Sequence, residues 1–267
     1  MPTALVTGAG RGIGRAAACA FLDAGHRVLA LDKDFSQFDL APCVELTAVR
    51  FDLRELAAIP HLIASLGAID VLVNNAGVLY CPPHDAFSED QKREILAVNL
   101  EAPVALIEAL VPQMRARRRG RIVNVGSVSA FTGHPDLWYG ASKAALLNVT
   151  KSYASYLGRD GILVNAVAPG PTLTGMYEQL PQSRKDGVMR SVYSGPCLRA
   201  RRGRRRDPVA RQREPGVRQR HDARRKQRLV SALSMVERTR NMQPTLATPG
   251  DVVSTARGRN RWAYFTR

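Results

Sequence analysis

Three residues in this sequence could together move a proton at an alcohol or a carbonyl group. Tyr139 and Lys143 are four residues apart, a spacing that places both side chains on one face of a helix. Ser127 precedes Tyr139 by twelve residues. A neighbouring positive charge favours the phenolate, so a tyrosine beside a lysine can exchange a proton near neutral pH. A serine hydroxyl can then hold the substrate oxygen.

A glycine-rich string that begins at Gly8 predicts a dinucleotide site beside these residues. It lies between an apolar strand pattern and a helical pattern, where a pyrophosphate can approach the N–H groups of a helix N-terminus. Asp32, 18 residues after Gly14, can accept hydrogen bonds from both ribose hydroxyls of NAD and would repel a 2′-phosphate. Arg11 and Lys33 are cations of the kind that accompanies NADP. We expect NAD to be preferred, with NADP as the alternative.

Strand and helix patterns alternate as far as residue 170, which predicts an α/β fold. Continuous apolar strands indicate a parallel sheet covered on both faces, here a Rossmann-type doubly wound sheet in a single domain. Such sheets bind ligands at the carboxyl ends of their strands. The predicted strands are Ala4–Thr7, Arg27–Leu31, Thr47–Phe51, Ile69–Asn74, Arg121–Val125 and Ile162–Val167, and the predicted helices are Ile13–Ala24, Leu56–Leu66, Ser88–Met114 and Trp138–Leu157.

These strings together resemble the short-chain dehydrogenase/reductase family in its classical form, from about residue 3 to about residue 194. The matching strings are TGAGRGIG ending at Gly14, NNAG ending at Gly77, and YGASK ending at Lys143. The resemblance implies that Tyr139 is the acid and base, that Lys143 is its electrostatic partner and that Ser127 anchors the substrate. A fourth residue, Asn99, would hold a water in a proton relay. The implied catalytic set is Asn99, Ser127, Tyr139 and Lys143.

The resemblance also implies cofactor contacts in the loops that follow the strands. Asp52 matches the aspartate that binds the adenine amino group, and the segment from Pro169 to Thr174 matches the one that meets the nicotinamide carboxamide. No metal site is expected. The implied cofactor-binding set is Gly8, Gly10, Arg11, Gly12, Ile13, Gly14, Asp32, Asp52, Leu53, Asn75, Ala76, Gly77, Tyr139, Lys143, Pro169, Gly170, Thr172 and Thr174.

The expected function is therefore an NAD(P)-dependent oxidoreductase that interconverts a secondary alcohol and a ketone. An alternative within the same family is a 3-oxoacyl-thioester reductase that uses NADPH. The substrate is a small molecule whose identity depends on the lid, roughly residues 173–193. The resemblance further implies a homotetramer or a homodimer.

Composition separates the chain into two parts. The formal net charge is +16, of which residues 1–194 carry +1 and residues 195–267 carry +15. A basic tail raises the alternative of a nucleic-acid-associated protein, but it lacks interleaved aromatic residues for stacking before Trp262, so no specific nucleic acid is expected. Four cysteines, none of them in a CxxC or metal-type spacing, indicate a reducing compartment. With no leader pattern and no run near ~18 apolar residues, we expect a cytoplasmic protein without a membrane span.

The basic tail breaks off the resemblance after Ser194. The family continues with a helix, then Phe-Leu-Ala-Ser, then a strand near Tyr-Val-Asn-Gly, and none of these strings is present. With CGN arginine codons, a one-base shift lets residues 217–229 read Tyr-Val-Asn-Gly-Thr-Thr-Leu-Asp-Val-Asn-Asn-Gly. The same shift lets residues 207–213 read Ile-Leu-Trp-Leu-Ala-Ser. These matches favour a frameshift over a disordered basic tail.

The frameshift hypothesis divides the chain at residue 194. Residues 1–194 would form the Rossmann-type oxidoreductase domain, and residues 195–267 would be an Arg-rich tail that is out of frame or disordered. The final helix and strand of the family would be missing, so the sixth strand, Ile162–Val167, would have an open edge. The resemblance implies that this helix and strand also build a main subunit interface.

Restoring the reading frame just after Ser194 should yield the missing helix and strand, and a protein that is more soluble, oligomeric and active. In the chain as it stands, protease should remove the tail quickly, because it lacks apolar residues to offset backbone ordering of ~1–2 kcal/mol per residue. Any DNA binding should be salt-sensitive and sequence-blind. The measurements are the coding DNA across codons 190–235 and limited proteolysis. A verified DNA read without a shifted match would end the hypothesis.

Overall fold

The computed structural model describes residues 1–191, Leu198–Arg199 and Ala263–Tyr264. Its strands are β1 (Thr3–Thr7), β2 (Arg27–Asp32), β3 (Leu46–Arg50), β4 (Val71–Asn74), β5 (Gly120–Val125), β6 (Ile162–Ala168), β7 (Thr172–Leu173), β8 (Leu198–Arg199) and β9 (Ala263–Tyr264). Its α-helices are α1 (Gly12–Asp23), α2 (Ile59–Leu66), α3 (Glu89–Leu96), α4 (Ala102–Ala116), α5 (Leu137–Leu157), α6 (Gly175–Glu178) and α7 (Gln182–Ser191).

The main sheet is parallel throughout, with the strand order β3-β2-β1-β4-β5-β6-β9. The chain builds outward from β1 to β3 and then returns to the other side of β1 with β4. The strand order therefore reverses between β1 and β4, and a crevice opens there at the carboxyl ends of the strands. The predicted α/β, doubly wound fold is confirmed.

Apolar side chains alternate across the sheet and build a core layer on each face. Leu5 belongs to one layer, while Ala4 and Val6 belong to the other, as the period of two along a strand requires. The first layer includes Leu106 and its neighbours on α4, together with residues of α2. The second includes Phe21 of α1. The sheet is therefore buried on both sides, and its loops at the carboxyl edge are held by two packed layers.

The predicted helix over 88–114 is present, with a change of winding in its middle. Ser88 caps α3 in a capping box: Ser88 Oγ accepts from the Gln91 N–H at 3.2 Å, and Gln91 Oε1 accepts from the Ser88 N–H at 3.1 Å. A π-helical turn, Ala97–Glu101, then joins α3 to α4. Between β2 and β3 the structure has no helix.

This same helix resembles a membrane span in length and composition, although Glu101 and Glu108 interrupt its apolar residues. The continuous stretch Glu89–Ala116 has 28 residues and is long and apolar enough to cross a membrane, by length and composition only. Half of its most apolar window is buried inside the protein. The core helix of a soluble domain meets the same criteria, because one of its faces packs against a sheet.

The edge of β6 differs from the expected open edge. Strand β9 pairs in parallel with the carboxyl end of β6, through Val167 with Ala263 and Ala168 with Tyr264. The edge is thus covered over two residue pairs, which are too few to show a sequence period. A second small sheet joins β7 to β8. The rest of the predicted tail, residues 195–267, lies outside the described residues, so its frameshift origin stays a prediction.

Candidate active site

A cavity of about 360 Å³ opens at the carboxyl ends of the central strands. Most of the predicted site residues line it, and five stand outside its lining: Gly10, Gly14, Asn99, Gly170 and Thr172. The structure therefore brings the glycine loop and the proton-transfer residues to one cavity. The predicted residues that line it are Gly8, Arg11, Gly12, Ile13, Asp32, Asp52, Leu53, Asn75, Ala76, Gly77, Ser127, Tyr139, Lys143, Pro169 and Thr174.

The glycine loop lies so close to the end of β4 that side chains are excluded. A Cβ on Gly14 would lie 2.0 Å from the Gly8 carbonyl oxygen, and Gly8 has a φ of +64°. Asn75 Nδ2 donates to the Thr7 oxygen at 2.9 Å and to the Gly8 oxygen at 3.1 Å. Thr7 Oγ1 accepts from the N–H groups of Asn75 and Ala76 at 3.0 and 3.1 Å. Asn75 and Thr7 thus hold the loop in place from behind.

Asp32 stands at the end of β2 with its carboxylate fixed by backbone groups. Its Oδ2 accepts from the Gly10 N–H at 2.8 Å, and its Oδ1 accepts from the Asp34 N–H at 3.1 Å. Two cations line the same cavity: Lys33 Nζ lies 3.6 Å from Glu94 Oε1, and the Arg11 side chain lies near Gly175. A fixed carboxylate therefore shares the cavity with two cations, one of which is paired with Glu94.

A cluster at the other rim of the cavity was not foreseen from the sequence. The Tyr80 hydroxyl donates to Glu94 Oε2 at 2.5 Å, and this hydrogen bond, with burial, raises the pKa of Tyr80 to about 12. Asp52 accepts from both the Nε and the Nη2 of Arg54, which lowers the pKa of the Asp52 carboxyl. Asp52 therefore meets the cavity already paired with a cation.

Lys143 lies at the floor of the cavity with almost no exposure. Its side chain is 3% exposed, and Nζ donates to the Val125 carbonyl oxygen at 2.9 Å. Burial lowers the pKa of Lys143 to about 8. Nζ also lies 5.8 Å from the centre of the Tyr139 ring, so the predicted pair is in place on one helix face.

Tyr139 and Ser127 line the same cavity, and the Ser127 hydroxyl is near enough to act on the pKa of Tyr139. Ser127 Oγ accepts from the Ser129 N–H at 3.2 Å, which leaves its own O–H to donate. Burial raises the pKa of Tyr139 and the charge of Asp136 adds to the rise, while the Ser127 hydrogen bond opposes it. The expected lowering of this pKa is therefore wrong for the protein without a ligand, because burial disfavours the phenolate.

Asn99 is fully buried in the π-helical turn, behind the cavity wall. Its Oδ1 accepts from the Val78 N–H at 2.8 Å, and its Nδ2 donates to the Val78 oxygen at 3.0 Å and to Ser142 Oγ at 3.1 Å. A Cβ on Gly77 would lie 3.3 Å from Asn99 Oδ1 and 3.4 Å from Lys143 Nζ. The Asn99 side chain thus joins the loop after β4 to α5.

A chain of buried polar groups ties β4, β5 and α5 together behind Lys143. Asn74 Nδ2 donates to Asn124 Oδ1 at 2.9 Å, and Asn124 Nδ2 donates to Thr150 Oγ1 at 2.8 Å. Thr150 in turn donates to the Leu146 oxygen at 2.7 Å. These hydrogen bonds fix the register of the three elements that surround the buried lysine.

The segment after β6 closes over the glycine loop. A Cβ on Gly12 would lie 3.3 Å from Thr174 Cγ2, which places this threonine against the loop. Thr172 Oγ1 donates to the Gly170 oxygen at 3.0 Å, so this side chain shapes the turn. Met176 and Gln179 of the lid line the cavity, and the sequence had indicated only the lid as a whole.

The comparisons with known proteins agree with this geometry. The family model of short chain dehydrogenases matches residues 2–185, and the chain belongs to this family. FabG, the 3-oxoacyl-[acyl-carrier-protein] reductase of Thermotoga maritima, is 33% identical over 204 residues, which cover 72% of this chain and 82% of that protein. The chain is thus similar to nicotinamide-dependent oxidoreductases.

Two solved structures of the family contain a bound nicotinamide cofactor. A gluconate 5-dehydrogenase from Burkholderia cenocepacia J2315, in complex with NADP and tartrate, is 30% identical, with a TM-score of 0.67 over 74% of this chain and 83% of that one. A 4-hydroxyisoleucine dehydrogenase complexed with NADH is 32% identical, with a TM-score of 0.62 over 66% and 78%. Relatives of similar likeness thus bind either cofactor.

Replacing Lys143 with methionine should stabilise the ligand-free protein. The folded pKa is about 8 and the ordinary value is 10.5, so the unfolded chain binds the proton more tightly between these values. The buried ammonium therefore destabilises the folded protein fully below pH ~8, and this destabilisation becomes smaller as the pH rises toward 10.5. Lys143→Met should raise the free energy of unfolding near pH 7 by about 1–3 kcal/mol, after the loss of one hydrogen bond. Urea unfolding from about pH 7 to pH 10 measures the difference, which should shrink with pH.

Lys151→Met is the matched control, because Lys151 is exposed on the same helix. Its effect should stay within ~0.5 kcal/mol at every pH. Equal stabilities of the wild type and Lys143→Met across the pH range would show that the buried ammonium is not desolvated.

Proposed function

We propose that this chain interconverts secondary alcohols and ketones with NAD as the preferred cofactor. The observation that carries the proposal is that Tyr139, Ser127 and the buried Lys143 line one cavity with the glycine loop, with Lys143 Nζ 5.8 Å from the centre of the Tyr139 ring. Proton exchange at a carbinol oxygen needs a titrating hydroxyl, a second hydroxyl to orient the oxygen, and a charge to favour the ionised form. These three groups meet that need.

The glycine loop fits a nicotinamide dinucleotide because only a chain without Cβ atoms leaves a cradle for the pyrophosphate. A side chain would collide with neighbouring protein atoms at Gly8, Gly10 and Gly14. The N–H groups of the first turn of α1 lie next to this cradle and favour an anion. The bound cofactor supplies the hydride acceptor or donor.

The protein residues handle the proton at the substrate oxygen. Ser127 orients the alcohol hydroxyl, and Tyr139 removes its proton as the carbinol is oxidised. Lys143 stabilises the phenolate from the same helix face. Its positive charge offsets part of the rise in the pKa of Tyr139 that burial causes. In the opposite direction Tyr139 donates the proton to the carbonyl oxygen. Asn99 acts behind Lys143, where its side chain holds the loop that carries Gly77.

The NAD preference is argued from Asp32. A carboxylate held by two backbone N–H groups cannot turn away from the ribose, and it would meet a 2′-phosphate with like charge. Lys33 is partly compensated by Glu94 at 3.6 Å, so its attraction for a phosphate is reduced. Arg11 remains the group that would favour NADP.

A second candidate function is the reduction of 3-oxoacyl thioesters with NADPH. The FabG protein of Thermotoga maritima supports it, since it is similar over 72% of this chain. Acetoacetyl-CoA with NADPH tests this candidate directly, and gluconate, galactitol and simple secondary alcohols with NAD test the first.

Members of this family act on small molecules and are typically oligomeric. For this chain we propose a small alcohol or ketone as substrate, a homodimer or homotetramer, and a cytoplasmic location. The division at residue 194 and the nucleic-acid alternative both concern residues that lie mainly outside the described part of the chain.

Tyr139→Phe should lower turnover by at least ~10²–10⁴-fold, because the variant keeps the ring and loses the proton-transferring hydroxyl. Affinity for NAD should change little, since the glycine loop is untouched. The measurements are steady-state rates and quenching of protein fluorescence by NADH. Tyr156→Phe is the control: Tyr156 is 65% exposed on the same helix, and its variant should keep full activity. Near-normal turnover in Tyr139→Phe would show that another group handles the proton.

Asp32→Ala should narrow the preference for NAD over NADP by roughly tenfold or more. The variant loses hydrogen bonds to the ribose, each to a charged acceptor and of ~1.5–3 kcal/mol, and loses the repulsion of a 2′-phosphate. Dissociation constants for both cofactors measure the ratio. Asp23→Ala, the same change at an exposed position at the end of α1, should leave the ratio unchanged. A wild type that clearly prefers NADP would overturn the assignment and favour Arg11 and Lys33.

A further inference from the structure

A carboxylate with no solvent exposure stands at the start of the helix that carries Tyr139. Asp136 is 0% exposed and caps α5. Its Oδ1 accepts from the Tyr139 N–H at 2.8 Å, and its Oδ2 accepts from the Tyr80 N–H at 3.1 Å. One side chain therefore binds the backbone of the reacting tyrosine and the backbone of the loop after β4.

The two bonded segments both line the cavity. Tyr80 follows the NNAG string that ends at Gly77, and its hydroxyl binds Glu94 on α3. Tyr139 lies in the first turn of α5. Because Asp136 holds both backbones, the distance between the cavity wall and the phenol depends on this carboxylate. A catalytic group misplaced by about 1 Å can lose roughly 10²-fold in rate.

The chemistry of this contact requires an acid. Each of the two oxygens of Asp136 accepts one N–H, so both backbone donors are satisfied. Asparagine offers a single oxygen and would turn an N–H toward the second donor. A buried charge is costly unless such donors compensate it, and the described residues place no lysine or arginine in an ion pair with Asp136.

The polar groups around this carboxylate are few. His134 Nδ1 lies 3.1 Å from both the N and the O of Asp136, and its ring centre is 5.4 Å from that of Tyr139. The thiol of Cys81 is near enough that the carboxylate raises its pKa, after burial, while Arg184 of α7 opposes this rise. Ser127 and Lys143 line the same cavity as Tyr139. The negative charge of Asp136 and the positive charge of Lys143 have opposite effects on the pKa of Tyr139.

We propose that Asp136 is a positioning residue for the Tyr139 reaction, which acts through the first turn of α5 and through its buried negative charge. The inference rests on the proposed function of Tyr139. The charge disfavours the phenolate, so it keeps the hydroxyl protonated until substrate, cofactor and Lys143 together favour ionisation. The backbone contacts hold the phenol over the substrate position while this happens.

Two variants separate these contributions from a simple loss of folding. Asp136→Asn keeps the size of the side chain and removes the charge and one acceptor. Asp136→Ser keeps a helix cap for the Tyr139 N–H, since serine is a favoured cap, and removes the charge and the Tyr80 contact. Rates of alcohol oxidation from about pH 6 to pH 10 are measured with NAD and with the secondary alcohol that the wild type oxidises fastest.

In both variants the limb of the kcat profile that reports phenolate formation should move to lower pH by about half a unit or more, because a repelling charge is gone. The kcat at the optimum should fall roughly tenfold, while the KM for NAD stays within ~2-fold. Asp160→Asn is the matched control: this variant removes one carboxylate, which is paired with Arg115, just beyond the other end of α5. Its profile should coincide with that of the wild type.

Wild-type profiles in both Asp136 variants would overturn the proposal, and so would a fall in kcat with no displacement along the pH axis. If Tyr139→Phe is also active, the proposed function has failed, whereas an inactive Tyr139→Phe confines the failure to Asp136. If neither variant folds, amide hydrogen exchange in the wild type decides. Slow exchange at the amides of Tyr80 and Tyr139 is expected, and fast exchange at Tyr80 would overturn the contact.

Discussion

The retention of a positive charge inside the protein is the constraint on which the rest of this site depends. Among the residues that the structure describes, Lys143 has one hydrogen-bond acceptor, the Val125 carbonyl oxygen, and it has almost no contact with solvent. In a medium of low dielectric constant an ammonium group interacts strongly with whatever negative charge forms nearby. The phenolate of Tyr139 is the charge that can form there. In the proposed reaction, the site gives up folding stability for a strong interaction with the phenolate that forms, as preorganised enzyme sites do.

Several packed contacts keep that charge in position without adding a counter-charge. The Asn74–Asn124–Thr150 chain fixes β4 and β5 against α5 with neutral groups. Gly77 leaves room for the lysine because it lacks a side chain. Neutral hydrogen bonds hold geometry and leave the ammonium unpaired, whereas a buried carboxylate in their place would neutralise it. The polar groups near Lys143 are therefore mainly neutral: the amides of Asn74 and Asn124 and the hydroxyls of Ser127 and Tyr139. The Asp136 carboxylate contacts the backbone of Tyr139.

The sequence predicted the parallel sheet, the glycine loop and the Tyr139–Lys143 pair, because each is a local pattern with a fixed period or spacing. The sequence analysis did not identify Asp136. An aspartate just before a helix is an ordinary cap signal, but its second contact, with Tyr80, joins positions 56 residues apart and cannot be seen in a local pattern. The Tyr80–Glu94 hydrogen bond likewise could not be predicted, because its residues are 14 positions apart and follow no helix or strand period. The direction of the pKa of Tyr139 could not be predicted either, since burial depends on the packed structure as a whole. Strand β9 has two residues, and no period can be recognised in two.

The helix over 89–116 has a consequence for how the protein folds during its synthesis. Its apolar face packs on a layer that includes Leu5 and Leu72 from strands made earlier, and Ile122 and Val164 from strands made later. While the ribosome is still adding the later strands, the part of that layer that they supply does not exist. The apolar face of this helix is then exposed on the nascent chain beside unpaired strand edges. This exposure lasts because parallel sheets form slowly. Yield in the cell should therefore be governed by chaperone supply and by the pace of translation past residue 116 more than by the stability of the finished fold.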